Sequence, residues 1–242
     1  MQNYTTKTIR GIAVTMPRTT RVFEEFKIDF RGGGRKFFDA CRLAGVAPEI
    51  VSEKINQALS NQTENFELPE TKNSAELIDY ILETHHVFTK SEISRLTALM
   101  DKVCGKHGAH RFKLFALQKS FAALCDDLKL HMRREETVLF PFIKHLEMSE
   151  TNNLSIPRPP FQTVKNPVRA MMTVHDAAED ELRKMREITK DYAVPEGACP
   201  SFQALYSGLE ELEKDLHLHI HLENNLLFPQ AIKLEEKVIF NY

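Results

Sequence analysis

From about residue 73 onward, apolar residues recur at steps of three and four in four separate stretches, the spacing of one face of an α-helix. The first stretch opens near Asn73, which with Glu76 makes a capping-box pattern, and it carries Ile78, Leu82, Ile93, Leu96 and Met100. The second runs from about Arg111 to Leu146 on the stripe Leu117, Phe121, Leu124, Leu128, His131, Glu135, Val138 and Phe142. The third opens at Asn166-Pro167, an N-cap followed by proline at the first helical position, and carries Val168, Met172, His175, Leu182 and Met185. The fourth runs from about Ser201 to Lys237 on Leu205, Leu209, Leu212, Leu216, His219, Glu223 and Leu226. Polar, proline-bearing connections separate the second stretch from the third and the third from the fourth, and no period-two alternation competes. An all-α fold built on a four-helix bundle is the expectation.

Residues 1–60 read differently. They hold short mixed apolar segments, the glycine triplet Gly32 to Gly34, and a helix-like stretch from about Arg35 to Leu59. Residues 61–73 are polar, contain a proline, and read as a linker. The expected organisation is a small N-terminal helical domain (1–60), a linker (61–73) and the bundle (74–242).

Composition adds mostly exclusions. At 242 residues, with 42% apolar and 27% charged residues and a net charge of −2, the chain has room for a real core. No lysine- and arginine-rich face or tail points to nucleic acid. No apolar run is long enough for a bilayer, and the first twenty residues lack the apolar core of a secretory leader. The four cysteines are scattered with no CxxC pair, as for free thiols in a reducing cytoplasm.

The chemistry lies in two interruptions of the apolar stripes. His131 and Glu135 stand one turn apart on the buried face of the second helix, and His219 and Glu223 do the same on the fourth. Both pairs are followed, at the same offset, by Leu-Phe-Pro: Leu139 to Pro141 and Leu227 to Pro229. Upstream, His175 precedes His219 by 44 residues and His86 precedes His131 by 45. The bundle is thus two copies of one hairpin, each offering a single His and a His-x3-Glu. The first helix's stripe admits His85 as well as His86, and the matching interval favours His86.

One His-x3-Glu is ordinarily an intrahelical pair. Two copies, each buried in an apolar stripe with its own upstream histidine, need another account. A buried carboxylate is costly unless a cation neutralises it, and neutral imidazole is a natural metal donor. If both glutamates bridge two metals, each metal receives two nitrogens and two oxygens. That leaves room for an oxo or hydroxo bridge and an open position, which suits iron better than tetrahedral zinc. His217 and His221 are expected at the rim, His107, His110 and His145 have no repeat partner, and Asp127 and Asp176 are candidate acceptors for ligand imidazoles.

The segments LIDYILETHH, LHMRREETVLFP, VHDAAEDEL and LHIHLENNLLFP, with MPRTTRVFEEFKIDFRGGGRKFFDAC at the N-terminus, resemble the RIC (repair of iron centres) di-iron family of the ScdA/YtfE type. The resemblance covers nearly the whole chain. It implies a haemerythrin-like bundle with two non-haem irons held by His86, His131, His175 and His219, bridged by Glu135 and Glu223. It further implies a cytoplasmic protein of nitrosative or oxidative stress that helps restore damaged iron–sulfur clusters as an iron donor, with iron–sulfur proteins as recipients. Nitric oxide, O2 or peroxide would be the small molecules met at the irons. A haemerythrin-like binder or sensor of O2 or nitric oxide, or a nitric oxide reductase, would use the same site. No nucleophile or acid–base machinery stands beside it to mark an enzyme. The family's leading domain carries a cysteine pair where this chain has Arg31 and Gly32, which removes thiol chemistry there and leaves docking or homodimer formation as that domain's expected roles.

Overall fold

The computed structural model describes residues 4, 7–9, 11, 12, 16, 19–28, 34–60, 73–107, 113–152 and 159–240. Arg31, Gly32 and His110 lie outside them. The chain divides into two compact units, Met1–Asn73 with His221–Leu226, and Ser74–Ile220 with Leu227–Tyr242.

The N-terminal part packs three short helices, α1 (Thr19–Glu25), α2 (Phe37–Leu43) and α3 (Pro48–Ser60), around Tyr4, Ile9, Ile12, Phe23, Phe37 and Ile55. Its helix-like stretch is two helices rather than one. Gly45 adopts φ +70°, a left-handed conformation costly for other residues, and Pro48 then opens α3 at a position where no amide hydrogen is needed. The Cys41 thiol is fully buried in this core, and burial pushes it up to about 11.

Four long helical rods follow. Rod α4 spans 74–107, α5 spans 113–152, α6 is Lys165–Thr189, and α7 spans 200–240. The core between them is dominated by leucine: Leu96, Leu117, Leu124, Leu182, Leu205, Leu209, Leu212 and Leu216 are each at most 1% exposed. Where α4 meets α7 side chains of α4 press on the Gly208 backbone. A Cβ on Gly208 would sit 2.6 Å from a Leu96 methyl and 2.4 Å from the Arg95 guanidinium, so only glycine fits without displacement.

Three of the rods are not uniform. Each contains a π-helical turn: Ile81–His86 in α4, Glu135–Leu139 in α5 and Glu223–Leu227 in α7. A π turn inserts one residue and rotates everything downstream by roughly 100°. The apolar stripes therefore change register. Past Glu135 the expected Val138 and Phe142 give way to Leu139, Phe140 and Ile143 in the core, while Val138 is 47% exposed. Past Glu223 the buried residues are Leu227 and Phe228 rather than Leu226. In α5 and α7 the cause is legible. Pro141 and Pro229 lack the amide hydrogen an α-turn would use, and their rings crowd the carbonyl four residues back; a widened turn relieves both. α6 has no π turn, but there too one residue differs from expectation. Met171 is buried and Met172 is 44% exposed.

The helix starts reveal a further element of the repeat. At the start of α4 the amides of Ser74 and Ala75 donate to the Glu147 carboxylate at 3.2 and 2.7 Å. At the start of α6 the Val164 amide donates to Glu235 at 2.7 Å, and the Thr163 hydroxyl donates to the other oxygen. Glu147 and Glu235 each lie 16 residues beyond the histidine of their own His-x3-Glu. In each hairpin the second helix thus caps the first with a carboxylate placed at the positive end of its dipole. The expected Asn166 N-cap is corrected: α6 begins at Lys165, and the Asn166 side-chain Nδ2 donates instead to the Phe161 carbonyl at 2.9 Å.

Replacing Glu235 by Gln turns one acceptor into a donor facing Thr163 or Val164. This change should cost about 1–2 kcal/mol, a typical lost cap. A lowered midpoint in denaturant unfolding followed by circular dichroism is the readout, and an unchanged midpoint would refute the cap.

Candidate metal centre

The stripes deliver six polar side chains to one depth in the bundle. His131 and Glu135 come from α5, His219 and Glu223 from α7, His86 from the end of the π turn of α4, and His175 from α6. The histidines are 1–3% exposed and both glutamates 0%. They fall into two overlapping sets, His86 with His219 and His131 with His175, each joined by both Glu135 and Glu223, with one ligand atom per residue and all within 4.8 Å of one another. Each set draws one imidazole from each hairpin, and the carboxylates are common to both.

Internal geometry tests whether this donor set fits a cation. Glu135 Oε2 lies 3.0 Å from His131 Nε2 and 3.5 Å from His86 Nε2, yet neither carboxylate oxygen accepts a well-formed hydrogen bond. His131 Nε2 and His175 Nε2 face each other at 3.2 Å. Two imidazole nitrogens so placed cannot both carry hydrogen, and neutral imidazoles converging through their lone pairs are the arrangement a cation rewards. A buried carboxylate without hydrogen bonds costs several kcal/mol, on the order of what a positive charge beside it would restore. Mixed nitrogen and oxygen donors with no thiolate suit a borderline transition metal such as iron. The residues fit.

The surroundings position the two single histidines, His86 and His175. His86 Nδ1 bonds Glu136 Oε1 at 2.7 Å, and Lys90 donates to the same oxygen at 2.6 Å. Burial works to raise the Glu136 carboxyl, but the Lys90 and His86 hydrogen bonds outweigh it and hold it below the usual carboxylate range. With Nδ1 committed to a carboxylate, Nε2 is left as the donor atom toward the centre. Asp127 and Asp176, the acceptors expected from sequence, are exposed, so the carboxylate found is Glu136. Phe140 stacks on His86 with centroids 5.7 Å apart, and Phe228 on His175 at 6.0 Å. The repeated Leu-Phe-Pro thereby gains a meaning. Its proline widens the turn and its phenylalanine then shields the single histidine of its own hairpin.

His85 is as buried as His86, at 1%, and its Nδ1 bonds Asp215 Oδ1 at 2.9 Å. His217 and His221, expected at the rim, are 7% and 0% exposed. The fourth helix is buried around most of its circumference there, so a two-residue offset from His219 does not reach solvent. His221 contacts Asn225 at 2.9 Å and His217 lies 3.7 Å from Glu213. His107 approaches the Cys199 sulfur at 3.3 Å, and His145 is exposed.

An all-helical bundle with paired His-x3-Glu elements meeting at buried carboxylates defines a cation-binding haemerythrin-type domain. Comparison with known proteins agrees: residues 77–231 match the hemerythrin HHE cation binding domain, and the chain belongs to that family. Residues 5–59 match a second family, the ScdA N-terminal domain, described as a domain of unknown function. Over 234 residues, 96% of this chain and the whole of the relative, the sequence is 29% identical to the iron-sulfur cluster repair protein YtfE of Yersinia pestis (strain Pestoides F). The protein of the same name from Yersinia pseudotuberculosis (serotype O:1b, strain IP 31758) matches at the same identity and coverage. Among the described residues, no helix is long and apolar enough to cross a membrane.

Glu135→Leu separates the cost of the carboxylate from its use. In metal-free protein the substitution should hold or raise the unfolding midpoint, because replacing buried charge by apolar volume is often neutral or stabilising by about 1–4 kcal/mol. Ferrous iron should raise the wild-type midpoint and leave the variant's where it was. Equal stabilisation of both proteins by iron would exclude Glu135 from the site.

Proposed function

We propose that the centre holds two non-haem iron ions, with His86 and His219 on one, His131 and His175 on the other, and Glu135 and Glu223 bridging them. The observation that carries this reading is that both carboxylates belong to both sets of donors. The function that best accords with it is repair of iron–sulfur clusters damaged by nitric oxide or peroxide, by donation of iron to iron–sulfur proteins in the cytoplasm. The name carried by the full-length relatives supports it.

Bound iron supplies a redox-active cation that can be handed to a sulfur-rich acceptor. The rest is the work of the protein's own residues. Four imidazoles and two shared carboxylates make a site without thiolates, which holds iron less tenaciously than a cysteine-lined cluster socket does. Glu136 and Lys90 keep the His86 ring turned inward, while Phe140 and Phe228 keep water off the imidazoles they cover. Asp127 and Asp176, exposed, do not enter the centre.

Purified protein loaded with ferrous iron should retain about two irons per chain after desalting, as two sets of donors sharing their bridges require. The loaded protein should restore activity to an iron–sulfur enzyme inactivated by nitric oxide beyond what the same quantity of free iron achieves, and Glu223→Ala should do neither. Tight reversible gas binding without iron loss or repair would instead make the protein a gas binder or sensor.

A further inference from the structure

The pair His85-His86 is more than a ligand with a bland neighbour. Both rings are 1% exposed, and both sit inside the π turn Ile81–His86. Each Nδ1 is tied to a carboxylate, His86 to Glu136 at 2.7 Å and His85 to Asp215 at 2.9 Å. Both rings lie against His219, with centroid distances of 5.0 Å for His86 and 5.6 Å, nearly parallel at 11°, for His85. His85 also meets Tyr80 edge-on at 5.6 Å. Only His86 stands among the converging donors, while the His85 Nε2 is buried and accepts no hydrogen bond. With Nδ1–H donating to Asp215, that Nε2 is a bare lone pair, the form in which imidazole binds metal.

The backbone offers a way to bring it in. A π turn is an α-helix with one extra residue, and the extra residue can sit at any step along the widened stretch. In the observed register the widened turn ends at His86, and the position facing the centre falls to His86. If it passes to the C-terminal side of the pair, the turn containing His85 and His86 reverts to α geometry, and His85 moves into the place His86 held. The other two π turns are anchored by Pro141 and Pro229. Between residues 70 and 140 the chain has no proline, so nothing of that kind anchors the turn in α4.

We infer that His85 is an exchange ligand: a one-residue shift of the π turn in α4 replaces His86 by His85 on the ion shared with His219. This rests on the two-metal reading and refines it, because it makes one of the two ions the labile one. In the exchange one Nε2-to-metal bond is broken and an equivalent one formed, with no change in charge or oxidation state.

The test is a double-mutant cycle on full-length protein with Co2+ as the probe, read by bound cobalt per chain after desalting and by the visible absorption of the bound ion. Wild type and His85→Ala should both retain two cobalt ions with the same spectrum. His86→Ala should retain two with an altered spectrum, and the doubly substituted chain should retain one. His86→Gln, alone and combined with His85→Ala, repeats the comparison with a side chain that preserves the polar contact to Glu136, and circular dichroism confirms the helix in each. If His86→Ala and His86→Gln lose as much cobalt as the double variants, His85 does not substitute and the inference fails while the centre stands. If wild type binds no cobalt and no iron, the metal reading fails and takes the exchange with it.

Discussion

Two carboxylates fully buried in an apolar core, with no sound hydrogen bond accepted by either oxygen of Glu135, are the constraint around which the bundle is arranged. Left as charges in an apolar core they would oppose folding. Every feature near them reads as accommodation of that fact. Four imidazoles face them, Glu136 and Lys90 steer the His86 ring, and two phenylalanines close the apolar shell on His86 and His175. A core made of leucines alone would be simpler and no less stable. The polar cluster is therefore an expense explained by what it holds, not by the fold.

The pseudo-symmetry runs deeper than the ligands. In each hairpin one helix supplies a His-x3-Glu, then a π turn, then a phenylalanine on the partner helix's histidine, then a glutamate capping the partner helix's start. One rod thus positions its partner twice, near the centre through the ring and at the end through the carboxylate. Capping from a neighbouring rod ties the axial register of the two helices together, and the spacing of histidines from different helices depends on that register.

Much of this was legible in the sequence, and what was not has a common cause. The four rods, their apolar faces and the six side chains brought together follow from a 3.6-residue period and from repetition. The period failed where the helix itself departs from 3.6. Val138, Phe142 and Leu226 were expected inside, and the π turns moved Leu139, Phe140 and Leu227 there instead. The signal was present in Pro141 and Pro229, each six residues beyond a glutamate that had to stay buried. The caps by Glu147 and Glu235 were hidden for another reason. They join residues more than seventy positions apart, and local capping patterns such as Asn166-Pro167 describe only neighbours. His217 and His221 were misplaced because an offset of two residues predicts exposure only on a helix with one solvent face.

The symmetry is broken in one place, and the break is informative. The repeat equips α5 and α7 with matching proline-anchored π turns, whereas of the two helices that contribute single histidines only α4 has a π turn, and it lacks a proline. His175 sits in regular α-helix with no second histidine beside it. His86 sits in a widened turn beside a buried double with its own carboxylate. A π turn costs helix geometry and persists only where something compensates. In α5 and α7 the proline rings compensate locally, and in α4 no residue of the turn does. What accompanies it there is side-chain placement: His85 bonds Asp215 and His86 bonds Glu136. The proposed exchange moves that turn when ligation changes, and only one half of the centre draws its single histidine from a π turn.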